Sequence, residues 1–470
     1  MQKDLVLFGA SRLGEIALKK IISNNVYHVV YFSDNDQKKW GERIGGIEVI
    51  PPSMILPLAS NSDVVIASQY DLAIAKQLFE ANIKKFGVID ETSWEIDFFD
   101  YRHVKSLDKK NNKISLIMNN NSGSNTLALY KNVTDKIAKA YSVELIDSKN
   151  KKGNYYLDLL ESKLVMHTHD GSFDNTQINV QLWHGFPLKT LSNMANFPEN
   201  IKTRNSLRWS KLDAVISYSQ TYSTFMNACF GINGNKYIIT GMPRNDLLFG
   251  TEGKKKLSKL IKCNLDKKKV ILYMPTFRET IHELTDGDEN KFNILQASGF
   301  DMEKYDDFLK DQDIIMVLKF HPVHIKQATN YIKEMNLKNI YILDDISLNQ
   351  SSLDLYEIIN AADLLITDYS SIYFDFLLLD KPIIFVPLDL QEYKNSRGFL
   401  IENYDFWTPG PKCFILDQLM DEIKKSLNYH SYYQRERKTI CNIVHHYKDA
   451  NSSLRVWELI DSLMKKSING

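Results

Sequence analysis

Two histidines stand where an open α/β sheet presents its chemistry. His184 follows the apolar run Val180-Gln-Leu-Trp183 and precedes Gly185 and Pro187, which reads as a turn at a strand's carboxyl end. Imidazole is the side chain best matched to general-base work near neutral pH, and Gly185 leaves room for a ligand beside it. His321 lies in Lys319-Phe-His-Pro-Val-His324, after the apolar run Ile314-Ile-Met-Val-Leu318, with Pro322 setting the turn and Lys319 directed to the same crevice. Two more turns offer arginines: Gly241-Met-Pro-Arg-Asn-Asp246 carries Arg244, and Met274-Pro-Thr-Phe-Arg-Glu279 carries Thr276 and Arg278. In Asp363-Leu-Leu-Ile-Thr-Asp-Tyr-Ser-Ser371, Asp368, Ser370 and Ser371 fall where a helix starts, a place where backbone N–H groups and hydroxyls receive an anion. Turns rich in His, Arg, Thr and Ser, with no cluster of carboxylates, suit an anionic substrate rather than a metal. Asp286-Gly-Asp288 has the DxD spacing of metal-dependent sugar transferases, but its polar setting reads as a surface loop, and no metal is expected.

The elements that must hold these turns alternate regularly. Short apolar runs at 114–118, 165–166, 180–183, 214–217 and 237–240 are separated by helical patterns, and the rhythm resumes at 270–273, 314–319, 340–343, 364–367 and 383–386. Such alternation predicts parallel sheets covered by helices. The chain divides into residues 1–110, 113–250 and 251–470, the second and third units facing each other across a cleft, with the last helix a candidate to cross back. The polar stretch Asp108-Lys-Lys-Asn-Asn-Lys113 is the expected linker. The first unit opens with a strand at Leu5–Phe8, Gly9-Ala-Ser-Arg-Leu-Gly14 and a helix, then a strand ending near Asp34, the layout of a small Rossmann-like module. Ser11 occupies the middle glycine position of that fingerprint, where a side chain obstructs a pyrophosphate. The module's role is open, and it is expected to be dispensable for chemistry.

Lys plus Arg equals Asp plus Glu at 58 each in 470 residues, so no basic field calls for nucleic acid. Four dispersed cysteines argue against a zinc site or a disulfide framework and suit a reducing cytosol. No signal-peptide pattern precedes the first strand, and no apolar run approaches the roughly 20 residues that span a bilayer. Eight lysines between 254 and 269 offer either a solvated helix face or a patch attracted to anionic lipid.

The ordered series Trp183-His-Gly-x-Pro-Leu-Lys189, Gly241-x-Pro-Arg-Asn-Asp246, Pro275-Thr-Phe-Arg278, His321-Pro322, Ile366-Thr-Asp-Tyr-Ser-Ser371 with Phe374-Asp375, and Arg397-Gly-Phe399 resembles the CDP-glycerol glycerophosphotransferase family over roughly residues 115–430. That family includes teichoic-acid primases and polymerases and related capsule enzymes. The resemblance implies a GT-B fold, two Rossmann-like domains facing a cleft, here preceded by the small Rossmann-like α/β unit. It implies transfer of glycerol phosphate from CDP-glycerol to a hydroxyl of a lipid-linked or growing cell-surface polymer, releasing CMP, with no cofactor. His184 and His321 become the catalytic pair, with His184 as base. Arg244, Thr276, Arg278, Asp368, Ser370, Ser371 and Arg397 fall on the donor's phosphates and nucleotide, and Gly185 and Lys189 on the acceptor side. Phe186 departs from the family, which often has threonine there, so acceptor contacts beside the base are expected to differ. The expected location is cytoplasmic, peripheral on the inner face of the membrane. The same motifs leave open CDP-ribitol or another CDP-polyol as donor, a nucleotide-sugar glycosyltransferase of GT-B fold, and a non-catalytic scaffold that senses nucleotide through Gly9–Gly14.

Overall fold

A computed structural model describes residues 2–469, apart from Asn25, Thr92, Lys109, Ser172, 277–294, 296–299 and Arg397. Three sheets follow one another along the chain. The first contains β1 (Lys3–Phe8), β2 (Tyr27–Ser33), β3 (Arg43–Ile44), β4 (Ile47–Ile50), β5 (Asp63–Ile66), β6 (Lys85–Ile89) and β7 (Ile96–Asp100). Its order is β3-β4-β2-β1-β5-β6-β7, parallel except for the two edge pairings. The second contains β8 (Lys110–Met118), β9 (Ser142–Asp147), β10 (Ser162–His167), β11 (Ile178–Gln181), β12 (Ala214–Ser217) and β13 (Tyr237–Ile239), in the order β13-β12-β11-β10-β8-β9. The third contains β14 (Lys269–Met274), β15 (Ile314–Leu318), β16 (Ile340–Ile342), β17 (Leu364–Thr367) and β18 (Ile383–Phe385), in the order β16-β15-β14-β17-β18.

The second and third sheets are wholly parallel. Helices cover both faces of such sheets, which is why β15 and β17 read as unbroken apolar runs and are buried along their whole length. The fold is α/β of GT-B type, preceded by the small Rossmann-like unit.

Three details differ from the expectations above. The polar stretch at 108–113 is not wholly a linker, because Lys110–Lys113 extend β8. Lys113 is buried and pairs with Asp158 at 2.7 Å and Glu144 at 3.0 Å, so carboxylates from neighbouring elements neutralise a charge that looked solvent-bound. The first unit is not free-standing either. The helix Tyr155–Glu161 contributes Tyr156, Leu157 and Leu160 to its core, with Tyr156 edge-on to Phe99 at 4.9 Å. Removing residues 1–110 strips the cover from those side chains.

The run 254–269 is the third. In the helix Gly253–Ile261, Leu257 and Ile261 are buried. Lys255, Lys256, Lys268 and Lys269 pair with Glu252, Glu357, Asp313 and Asp363, and Lys254 Nζ donates to the Lys268 carbonyl. Lys259, Lys262 and Lys267 have no ion pair among the described residues, so the net patch is smaller than the sequence suggests. Among the described residues no helix is long and apolar enough to cross a membrane. The C-terminal helix Ser452–Asn469 packs on the second unit: Trp457 Nε1 donates to the Leu129 carbonyl, and Asp461 accepts from Lys136 and Tyr141.

Candidate active site

His184 sits in the turn after β11. That turn is held in an unusual backbone conformation, with Trp183 at φ +53°. A non-glycine residue there costs about 1 kcal/mol or more and persists only where its surroundings over-determine it. They do: Gln181 Oε1 accepts from the Trp183 N–H at 2.8 Å, and Asn125 Nδ2 donates to the Trp183 carbonyl at 2.9 Å. The His184 ring lies between two others, His169 and Trp183, each with its centroid 4.3 Å away and nearly parallel. Its Nδ1 is 2.8 Å from the Thr168 carbonyl. A carbonyl only accepts, so Nδ1 carries the proton and Nε2 presents a lone pair. Enclosure by these groups lowers the histidine's pKa, with His169 and Arg244 adding to the effect. The ring is open to the cleft on one side, so water moderates the shift. The direction holds: the imidazole is neutral at pH 7.

The third sheet brings its own turns to the facing side. His321, Thr276 and Asp368 follow β15, β14 and β17, which are neighbours in the sheet and end together. His321 is exposed and precedes the short 3-10 turn Pro322–His324. Asp368 has a structural part in this turn. Its buried carboxylate accepts from the Thr276 N–H at 2.8 and 3.0 Å and from the N–H groups of Tyr369 and Ser370. A carboxylate so engaged shapes the serine turn and ties it to β14. Ser371 occupies the N-cap position of the helix Ile372–Phe376, with no capping hydrogen bond from its side chain. Its Oγ stands 2.9 Å from where a Cβ on Gly185 would be. Gly185 is therefore glycine because the other half's serine approaches it, and the two halves meet beside the base.

Arg244 is 4 % exposed and belongs to the seam. Its guanidinium donates to Asp375 at 2.6 Å, to the carbonyls of Gly123 and His184 at 3.0 and 2.8 Å, and to the Tyr218 hydroxyl at 3.2 Å. Tyr356 also donates to Asp375. With its four terminal N–H donors so engaged, and the buried Nε without a hydrogen-bond partner among the described residues, Arg244 fixes the backbone of His184. Lys319 is consumed in the same way by Asp345 at 2.8 Å, which also accepts from Ser122. Phe186 points into the core. It is 1 % exposed and packs 4.6 Å from Phe374 in a cluster with Tyr218, Tyr222 and Phe225.

A family model for the CDP-Glycerol:Poly(glycerophosphate) glycerophosphotransferases matches residues 98–462. The chain belongs to this family. The chain is 31% identical over 296 residues to the teichoic acid glycerol-phosphate primase of Bacillus subtilis (strain 168), covering 61% of this chain and 68% of that protein. It is likewise 31% identical over 296 residues to the teichoic acid glycerol-phosphate transferase of Staphylococcus aureus (strain NCTC 8325 / PS 47), covering 60% and 70%. A solved structure of the wall teichoic acid polymerase TagF superposes with a TM-score of 0.62 at 22% identity, covering 77% of this chain and 91% of that one, a likeness of fold.

In this glycerophosphotransferase several groups around His184 carry no mark in the motifs quoted above. Thr168-His169-Asp170 follows β10 and supplies the carbonyl and one of the rings that orient His184. The polar run at a strand end was a usable signal. Asn119–Ser124 is a docking segment: Asp354 accepts from the N–H groups of Gly123 and Ser124, and Asn121 exchanges hydrogen bonds with the backbone of 353–355. Arg278, Arg397 and the Asp286/Asp288 pair lie outside the described residues. Beside Arg397, the Thr190 N–H donates to the Gly398 carbonyl and the Leu400 N–H to the Leu188 carbonyl, so that segment is pinned to the strand-end loop of the base. Lys189 reaches across to the ring of Tyr393, 5.7 Å away. Among the described residues no group of three His, Cys, Asp or Glu side chains is arranged to hold a metal ion.

Proposed function

We propose that the chain transfers glycerol phosphate from CDP-glycerol to a hydroxyl of a teichoic-acid or related cell-surface polymer. The observation that supports this reading is the oriented His184 ring: the Thr168 carbonyl holds its Nδ1 proton, leaving Nε2 a lone pair, on an exposed residue whose neighbour Gly185 is approached by Ser371. Nε2 takes the proton of the acceptor hydroxyl, the oxygen attacks the β-phosphorus of CDP-glycerol in line, the bond from that phosphorus to the bridging oxygen breaks, and CMP leaves. Phosphoryl transfer of this kind is mostly positioning and charge stabilisation. His321, Ser370, Ser371, Thr276, Arg278 and Arg397 are the groups proposed to meet the donor's pyrophosphate, each typically supplying a few kcal/mol in the transition state. Gly185 and Lys189 stand on the acceptor side. No cofactor enters this scheme.

The acceptor is proposed to be lipid-linked or polymeric, so the enzyme works at the cytoplasmic face of the membrane, touching an anionic surface peripherally. Lys259, Lys262 and Lys267 are the lysines of the 254–269 run left available for that contact. Sedimentation with anionic vesicles should show binding that weakens as salt rises. The test of the reaction is a donor screen with labelled CDP-glycerol, CDP-ribitol and UDP-sugars and a short lipid-linked acceptor. Release of CMP from CDP-glycerol alone is the expected result; release from CDP-ribitol or a UDP-sugar instead replaces this donor, and no release from any leaves the scaffold reading.

A further inference from the structure

A crevice of about 1250 Å³ lies between the first unit and the helix Glu199–Trp209 of the second. Its floor is the carboxyl edge of the first sheet, with Gly9 and Ser11 after β1 and Ser68 after β5, where an open α/β sheet receives ligands. Its opposite wall is the helix, which presents Arg204, Leu207 and Arg208, with Lys211 just beyond. Five basic side chains line the space against two acidic ones. Lys39 and Asp34 satisfy each other at 2.9 Å. Arg12, Arg204 and Lys211 have no carboxylate partner among the described residues, and the buried Nε of Arg208 has no hydrogen-bond partner there. Cations gathered from two units around one cavity repel one another unless an anion joins them. Leu13, Ile16, Tyr70 and Leu207 add an apolar side to the same space.

The glycine turn itself is not the seat of that anion. A Cβ at Gly9 would meet the Ala67 carbonyl oxygen at 2.3 Å, and one at Gly14 would meet the Gly9 oxygen at 1.9 Å, so both glycines serve strand and helix packing. Ser11 stands in the approach to the turn. Asp34, placed where a ribose is commonly held, spends its oxygens on the N–H groups of Ala10 and Asp36 and on Lys39. We propose that the crevice binds a nucleotide in a reversed sense, its phosphates on the Arg204, Arg208 and Lys211 wall and its base against Leu13, Ile16 and Tyr70. The site also touches the chemistry. Arg208 and Trp209 Nε1 both hold Asp170, at 3.1 and 2.7 Å, and Asp170 adjoins His169, which stacks on His184. A phosphate drawing the Arg208 guanidinium competes with Asp170 for it, so the bound nucleotide alters turnover.

The nucleotide site stands independently of the transfer reaction and is tested by calorimetric titration of the full chain with ATP, UTP, CMP and inorganic pyrophosphate. At least one nucleotide should bind saturably in the presence of Ser371→Ala, which alters only the catalytic cleft. Arg204→Glu with Lys211→Glu, both at exposed positions, should weaken that binding at least about tenfold while circular dichroism stays unchanged. No saturable binding at millimolar nucleotide, or binding indifferent to the double reversal, overturns the proposal. Pyrophosphate binding as tightly as every nucleotide overturns the nucleotide assignment. The coupling to turnover fails if the bound nucleotide changes the rate equally in wild type and in the double variant.

Discussion

The two junctions of this molecule are built on opposite plans. Between the catalytic halves, Arg244 and Asp375 form an ion pair with both side chains at or below 5 % exposure, beside the buried aromatic cluster of Phe186. Between the first unit and the second, Tyr156 packs into an aromatic core on one side, while the other side opens into a crevice where Arg12, Arg204 and Lys211 have no carboxylate partner among the described residues. The first junction buries its charges and holds the His184 backbone in place. The second admits a ligand and leaves charge uncommitted. A reaction that depends on sub-ångström placement needs the first plan, and a response to a changing solute needs the second.

The largest effect should come from the group that the closed junction positions. His184→Ala should lower turnover by about 10² to 10⁴ while CDP-glycerol binding survives, measured on one preparation; undiminished turnover removes His184 from the role of base. His321→Ala and Ser371→Ala should instead depress kcat/KM for the donor, by up to about 10² to 10³. Next comes the seam itself. Asp375→Ala leaves the Arg244 guanidinium buried without its countercharge, an expected loss of about 3–5 kcal/mol in urea denaturation. Replacing both, Arg244→Met with Asp375→Leu, should recover much of that stability but not the activity, because the His184 carbonyl loses its donor. A double variant as unstable as the single one shows that the charge pair is not what holds the seam.

Acid probes the same contrast more gently. Burial lowers the pKa of His167 to about 4 and also depresses that of His445, whose Nε2 donates to the Phe374 carbonyl at 2.7 Å in the seam. Below the unfolded pKa near 6.5 the unfolded chain takes up protons that the folded chain refuses. Stability then falls with falling pH, by up to about 1.4 kcal/mol per pH unit for each such histidine. Urea midpoints at pH 7.5 and 5.5 should show that loss, and His445→Asn should shrink it; an identical pH slope in the variant assigns the effect elsewhere. The smallest change belongs to the open junction. Lys76 pairs with Asp174 at 2.9 Å at its partly exposed rim, and Lys76→Ala should cost no more than about 1 kcal/mol. A loss comparable to that of Asp375→Ala erases the distinction between the two junctions.

Much of the framework was legible because strand and helix periodicity is local. β12 and β17 fall on the apolar runs 214–217 and 364–367, and the strand-end turns bearing His184, His321 and Ser371 follow from that alternation. The short or mixed strands β3 and β9 carry too few apolar residues in register to stand out. Arg244 and Asp368 were marked as notable by their motifs and given phosphate to bind, since a sequence shows that a charge is present but not what faces it. Asp375 and Arg244 are 131 residues apart, and only folding brings them to 2.6 Å.

The chain by itself determined which residues stand at strand ends, because hydrophobic pattern and turn chemistry act between near neighbours. It determined too that His184 has glycine beside it and that Ser11 blocks the fingerprint turn. Tertiary structure alone decided which charges are spent and which remain. It turned Arg244 and Asp368 into braces, moved Phe186 into a core, neutralised half of the 254–269 lysines, and left Arg204 and Lys211 facing an open space. The physical reason is range. Burial and side-chain hydrogen bonds act over a few ångströms in space between residues a hundred or more apart in the chain, and no local pattern encodes that pairing.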